Sequence, residues 1–529
     1  MQNNTKLINK QSLIKILSSR LEGDDKKLSQ IADPSLLRNA TSSAKYIAKA
    51  IKENKKITLI GDYDVDGVSS TAIMVDFFRQ IPYPLEAIIP NRFKDGYGVS
   101  PSILNRIDTD LIITVDNGIS AIEAAEICKK RNIDLIITDH HTPGDILPEA
   151  TYIVNPKLQN CNYPFKDICG AEVAWLLLAL VKKELSLDIN MKQFLDILAI
   201  AIIADIMPLI NINRTLVKEG LKLLMNSNRP SSIIIKDFLN KSNITSEDIA
   251  FQIAPRINSA GRLKDASIAL NFFTAQDTHN SYKQFEKLCE LNELRKETEL
   301  QTTLDATQSV DENSLISVVA KEGWHEGVVG IVASRLVDKF EKPAIVLSIE
   351  NGIAKGSARS IGDVSIYNLI KANEHYLNKF GGHKMAAGLS LEEQNINIFR
   401  DAINESAKLI NTKDFIPKGE ISGIFDSTEI DHELLNILDK FEPYGEANPK
   451  PMFLLKDAEV ISVKLMGKDK SHSRIEIRQF KHQKTTIELI AFRTVYEIPE
   501  NKKLTCSYTI TKNEFNGKTN PQLLINKIY

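Results

Sequence analysis

Between residues 57 and 155, five short runs rich in β-branched residues, ITLIG, LEAIIP, LIITVD, DLIITDH and TYIVNP, alternate with helical patterns such as VSSTAIMVDFFRQ and SAIEAAEICKKR. Apolar strands separated by helix-length connections describe a parallel sheet covered by helices. Open sheets of this kind take their ligands beyond the carboxyl ends of the strands. Three of the runs end there in chemistry: ITLIG runs into Asp62-Tyr63-Asp64-Val65-Asp66-Gly67, LIITVD ends at Asp116-Asn117-Gly118, and DLIITD ends at Asp139-His140-His141.

Asp62, Asp64 and Asp66 occupy alternate positions, so an extended backbone puts them on one side. Their mutual repulsion asks for a divalent cation, and hard oxygen ligands suit magnesium or manganese. A solvated acidic turn is the alternative; an EF-hand loop is not, because its twelfth position, Ile73, is not a glutamate. A lone His beside an Asp, or any one of these strand ends alone, reads as a surface or capping arrangement, but coincidence at three strand ends weakens that reading. Asp205, inside the apolar run LAIAIIADIMPL, is a fourth candidate. An unpaired charge there is costly unless it faces a metal or a buried arginine. Several carboxylates and one or two imidazoles without thiolates match a dinuclear site for phosphoryl chemistry, in which an activated water attacks and no covalent nucleophile is needed. Successive strand residues point oppositely, so Asp139, His140 and His141 are expected to divide into one ligand, one orienting group and one substrate-facing group.

The chain has 529 residues, 43% hydrophobic and 25% charged, which suits two to four folded domains and excludes a disordered chain. Residues 171–227 are helical by pattern, and 280–306, free of Gly and Pro, can form one long helix. A second α/β block runs from LISVVA near 315 through GWHEGVVGIVASRL, PAIVLSIE, GIAKGSARSIG and FGGHKMAAGLSL to about 412. From 420 the pattern is all-β, five strands suggesting a small barrel, with Asn516-Gly517 as a hairpin turn. Residues 451–529 hold 14 Lys/Arg against 8 Asp/Glu, in a chain of net charge −2, so this end suits a polyanion. Its Phe453, Phe492 and Phe515 are available for base stacking. Five cysteines without a C-x-x-C pair indicate neither a disulfide framework nor a thiolate zinc site. The start, MQNNTKLINKQSL, lacks a signal-peptide run, and FLDILAIAIIADIMPLI (194–210) carries Asp196 and Asp205, so it reads as a buried helix and not a membrane span. A cytoplasmic location is expected.

The set Asp62-x-Asp64-x-Asp66-Gly67, Val115-Asp116-Asn117-Gly118, Asp139-His140-His141 and Ala204-Asp205 resembles the four motifs of the DHH phosphoesterase superfamily. GGHKMAAG (381–388) resembles the signature of the DHH-associated domain. APRINSAGR (254–262), GWHEGVVGIVASRL (323–336), KGSARSIG (355–362) and EPYGEANPKPMF (442–453) are similar to segments of its bacterial single-strand-specific DNA exonucleases. The likeness covers about residues 45–529. It implies an N-terminal segment (1–44), a parallel-sheet DHH domain (45–227), a helical connector (228–312), a second α/β, DHHA1-type domain (313–415) and an all-β OB-like nucleic-acid-binding barrel (420–529). It also implies a 5′-to-3′ exonuclease that releases 5′-mononucleotides from single-stranded DNA with two Mn2+ or Mg2+ ions, in recombination and repair.

By the same resemblance Asp62 and Asp64 serve one ion, Asp116 bridges, and Asp66, His140 and Asp205 complete the other. His141 faces the phosphate, and Asp139 and Asp62 stand with it in the catalytic set. Arg262, Ser357 and Arg359 form a 5′-phosphate pocket, to which the guanidinium of Arg256 is suited as well. Read from the residues, Gly381, Gly382 and His383 offer a phosphate cradle at a helix start. Arg92 and Tyr97 can hold the strand near the metals or anchor their own loop, and His325 is a candidate for substrate contact. The family further implies a monomer working with a single-stranded-DNA-binding protein and a helicase. The alternatives are a nano-RNA or cyclic-dinucleotide phosphodiesterase, which needs no basic barrel, and a non-catalytic scaffold, which needs no intact ligand set.

Overall fold

The computed structural model describes the chain except residues 1–5, 25, 417–419, 468–469, 481–485, 493, 500 and 516–517. The described residues form two compact units, one of residues 262–264 and 287–419, the other of 2–261, 265–286 and 420–529. Chain order begins with a two-residue strand, β1 (Leu7–Ile8), followed by β2 (Ile57–Ile60), β3 (Glu86–Ile88), β4 (Leu111–Val115), β5 (Asp134–Thr138) and β6 (Tyr152–Val154). β2 to β6 make a five-stranded sheet of order β3-β2-β4-β5-β6, parallel throughout. β2 and β4 are buried along their whole length, as the unbroken apolar runs require. Ile60 pairs with Thr114 and Val115 with Thr138, so the residues that follow β2, β4 and β5 emerge at one edge.

The apolar run near residue 200 is a buried helix, Leu195–Ala204. Among the described residues no helix is long and apolar enough to cross a membrane. Its Asp196 is fully buried and accepts hydrogen bonds from Ile197 N, Ser227 Oγ, Ser232 Oγ and Arg229 Nε, the last at 3.0 Å. Arg229 also pairs with Asp76.

The larger unit also contains the barrel: β12 (Ile421–Phe425), β13 (Met452–Met466), β14 (His472–Arg478), β15 (Ile487–Ala491), β16 (Lys503–Phe515) and β17 (Lys518–Ile528). The fifteen residues of β13 pair with β14 along one half and with β16 along the other, which closes the sheet. β1 pairs in parallel with β12, and the helix Lys10–Arg20 puts Leu13 and Leu17 into the barrel core. Residues 7–20, which carry no confident pattern in the sequence, are therefore part of the C-terminal module, whereas Lys26, Arg38 and Asn39 bond to the parallel-sheet domain. Phe453 is fully buried in that core and not free to stack on bases, whereas Phe492 is exposed. The Asn516-Gly517 turn and the Phe515 side chain lie outside the described residues.

Residues 441–450 fasten the barrel to the parallel-sheet domain. Buried Arg214 donates to the carbonyls of Phe441, Glu442 and Pro443, and Leu209 N donates to Glu446 O at 2.7 Å.

The smaller unit is built on β7 (Ser317–Glu322), β8 (Ala344–Glu350), β9 (Ile353–Arg359), β10 (Lys379–His383) and β11 (Ala386–Glu392), in the order β10-β11-β9-β8-β7. Only β7 and β8 are parallel. GGHKMAAG does not open a helix. It spans the β10–β11 hairpin, with Gly381 opposite Gly388 and Gly382 opposite Ala387, because the following AAGLSLE pairs along all of β9. The charged stretch near residue 290 is one 31-residue helix, Thr278–Gln308. Replacing Arg229 with Met should strand the Asp196 carboxylate in the core and lower unfolding free energy by about 3–5 kcal/mol in urea titrations.

Candidate metal centre

Strand alternation is not what gathers the first three carboxylates. β2 stops at Ile60, and Asp64 is the N-cap of the helix Val65–Phe78, its Oδ1 accepting from Gly67 N at 3.0 Å. Asp66 lies in the first helical turn and points at a second helix start, where its oxygens accept from Gly170 N (2.6 Å) and Ala171 N (2.9 Å). Asp116 follows β4 with a left-handed φ of 61°. Buried Asn117 fixes that turn by donating to Ile60 O and Val115 O and accepting from Val99 N. Gly170 is needed beside it, since a Cβ there would lie 2.5 Å from Asp116 Cβ.

Three sets of ligand atoms lie within 4.8 Å of one another: Asp62, Asp64 and Asp116; Asp66, His140 and Asp205; and Asp116, His140 and His141. His140 Nε2 is 3.2 Å from Asp116 Oδ1, 3.5 Å from Asp205 Oδ2 and 3.8 Å from Asp66 Oδ2. Burial, then the charge of neighbouring aspartates, pushes the carboxyls of Asp62, Asp116 and Asp205 well above the usual range and raises Asp64. Burial lowers His140 to about 4, which keeps the imidazole neutral. Asp62 Oδ1, Asp116 Oδ1 and Asp205 Oδ2 are buried without hydrogen-bond partners. Uncompensated buried oxygens and a neutral imidazole, with no thiolate among them, fit a pair of hard divalent cations.

Asp139 has both oxygens engaged. Oδ2 accepts from Ile119 N, and Oδ1 from the amides of His140 and His141 and, at 2.7 Å, from His141 Nδ1. Burial opposes charge on His141, but the Asp139 hydrogen bond and charge outweigh it and hold that imidazole above its ordinary value. Asp139 thus orients His141, whose side chain is 39% exposed. Tyr97 packs edge-on against His141 and Tyr63 and donates to Asp116 O at 3.2 Å. The Arg92 guanidinium lies 5.5 Å from the Tyr63 ring. Three neighbours escape sequence reasoning: Asn258 Oδ1 accepts from Val65 N, Asn155 Nδ2 donates to His141 O, and the Lys157 ammonium is close enough to favour charge on Asp205. An Asn-Pro-Lys directly after a strand end was the available signal for the last two.

In the smaller unit Arg359 donates to Ser357 Oγ at 2.7 Å, and among the described residues no carboxylate pairs with it. Gly330 leaves room for this pair, because a Cβ there would lie 3.0 Å from Arg359 Nη2. Arg262 Nη1 donates to Gly327 O, and Gly327 N donates to His325 Nδ1. His383 pairs with Ala386, and Ala386 with Arg359, so the Gly381-Gly382-His383 strand end is two strands, about 10 Å, from Arg359. Arg256, in the larger unit, lies 4.4 Å from the Phe238 ring and donates to Gln252 O.

Comparison with known proteins adds to this geometry. The DHH family N-terminal domain matches residues 56–202, the DHHA1 domain 311–409 and the RecJ OB domain 421–527. The single-stranded-DNA-specific exonuclease RecJ of Haemophilus influenzae is 31% identical over 542 residues, covering 95% of this chain and 93% of its own length. The chain belongs to the RecJ family. RecJ of Bacillus subtilis is 36% identical over 93% of the chain, which spans 64% of that relative's length. A crystal structure of RecJ in complex with Mn2+ from Thermus thermophilus superposes with a TM-score of 0.81 at 26% identity, covering all of this RecJ-family chain and 80% of that one. Gly170→Ala should push the Asp116 carboxylate aside and weaken Mn2+ binding at least tenfold by calorimetry, with the fold retained by circular dichroism.

Proposed function

We propose that this chain is a single-stranded-DNA-specific 5′-to-3′ exonuclease, hydrolysing phosphodiesters with two Mn2+ or Mg2+ ions to release 5′-mononucleotides in DNA recombination and repair. One observation carries the reading: Asp62, Asp64, Asp66, Asp116, His140 and Asp205 converge at the carboxyl edge of a parallel sheet with buried oxygens that no protein donor satisfies. Asp62 and Asp64 would hold one ion and Asp66, His140 and Asp205 the other, with Asp116 within reach of both sets. Bound cations supply charge neutralisation at the phosphate and acidification of water. The chain's own groups do the rest. Asp139 fixes the His141 ring with Nδ1 inward, leaving Nε2 for the phosphate, while Lys157 adds positive charge that needs no metal. Tyr97 and Arg92 hold the strand beside this edge.

Arg262, Ser357 and Arg359 form the receptor for a 5′-phosphate, supported by a guanidinium with no carboxylate partner among the described residues. The barrel tracks the rest of the strand through its basic surface and exposed Phe492. A cytoplasmic monomer that meets a single-stranded-DNA-binding protein and a helicase completes the proposal. Strands labelled at either end, incubated with Mn2+ and with EDTA, test activity, metal and polarity together; loss of label from the 3′ end first, or turnover in EDTA, would contradict it. Asp116→Asn should lower kcat by more than a thousandfold with strand affinity within about threefold, measured by single-turnover kinetics and anisotropy. Arg359→Ala should raise KM about tenfold or more for 5′-phosphorylated strands and much less for 5′-hydroxyl ones.

A further inference from the structure

The helix that delivers Asp205 ends in a way that local energetics do not explain. Ile206 N donates to Ile203 O at 3.2 Å and Met207 N to Ile202 O at 3.1 Å, the paired bonds of a Schellman turn. The position after the cap must then be left-handed, which normally selects glycine or asparagine. Here it is isoleucine, at φ 55°. Among the described residues the other non-glycine positions of positive φ are Asn, Asp, Ser, Glu, Ala or Lys, none of them β-branched. Crowding between a branched Cβ and the carbonyl makes this conformation unfavourable. Packing does not compensate, since Ile206 is 69% exposed. The turn is held firmly on both sides: Asp205 N donates to Ala201 O, buried Leu209 is tied to Glu446 O, and Asn213 Nδ2 donates to Pro208 O. A rigid, strained, water-exposed apolar side chain thus stands next to Asp205, whose carboxylate lies 3.5 Å from His140.

We propose that Ile206 is a substrate-contacting residue, its side chain packing on the apolar face of the nucleoside that flanks the scissile phosphate at this edge. Strain is retained at functional positions when it serves contact with a ligand, and an exposed isoleucine gains most when a sugar or base removes it from water. The inference rests on the nuclease reading above and deepens it by naming a non-ionic contact beside the metals. The test uses the full chain with Ile206→Gly and Ile206→Asn, both of which accept the left-handed backbone, and reads melting temperature, Mn2+ titration, and KM and kcat on single-stranded oligonucleotides. The expected result is an unchanged or raised melting temperature, unchanged Mn2+ binding, and a KM raised about tenfold with kcat within threefold. The same substitutions in an Asp116→Asn background should weaken strand binding by a similar factor in fluorescence anisotropy. A KM and strand affinity within twofold of the parent would overturn the proposal, as would a fall in Mn2+ affinity that accounts for the whole loss. If the parent chain shows no Mn2+-dependent hydrolysis, the nuclease reading fails, while the anisotropy comparison still decides whether Ile206 touches the strand.

Discussion

Repulsion between buried carboxylates is the constraint around which the larger unit is organised. Five aspartates and a neutral imidazole share one pocket, and only some of that charge is met by the protein: helix-start amides serve Asp64 and Asp66, while oxygens of Asp62, Asp116 and Asp205 are left without donors. Such an arrangement is unfavourable by itself and becomes favourable when cations enter, so metal affinity and local stability are two views of the same free energy. The rigid frame is what prevents relaxation. Strands buried on both sides cannot shift, Asn117 ties the β2 and β4 ends together, and a glycine at 170 lets a helix start press against Asp116.

The same logic links the barrel to the pocket. Arg214 gathers three carbonyls of the segment 441–443, and Leu209, four residues after Asp205, is fastened to Glu446. The helix end that presents Asp205 is therefore clamped by the segment that leads into the barrel. In the smaller unit the polarity is reversed: the desolvated Arg359 guanidinium donates to Ser357 Oγ and Ala358 O, and among the described residues no carboxylate pairs with it. Each unit thus carries charge of one sign whose complement is not supplied by the described protein groups around it.

Much of the site was legible because each candidate ligand stands directly after an apolar run, and buried parallel strands must end in whatever chemistry they deliver. The reasons were less secure than the residues. Asp62, Asp64 and Asp66 looked like neighbours on a strand, but a helix begins at Asp64 and the spacing works through capping instead. GGHKMAAG looked like a helix start and is a hairpin, since glycine permits both and the partner strand decides. Phe453 looked available and is core. Asn258 was passed over because a lone asparagine carries no pattern, whereas Asn155 and Lys157 left a signal in the Asn-Pro-Lys that follows a strand end.

Periodicity, composition and the order of polar residues along the chain are local properties, and they determined the parallel sheet, the long helix, the strands of the C-terminal end and the set of carboxylates and imidazoles, but not the helix His432–Lys440 that interrupts that end. What lies opposite what was decided only by tertiary structure: β1 joining β12 across more than four hundred positions, Asp66 meeting the amides of Gly170 and Ala171, Arg229 meeting Asp196, and isoleucine being held left-handed beside Asp205. Those contacts depend on the closure of long loops and on the burial of charge, and neither leaves a trace in neighbouring residues.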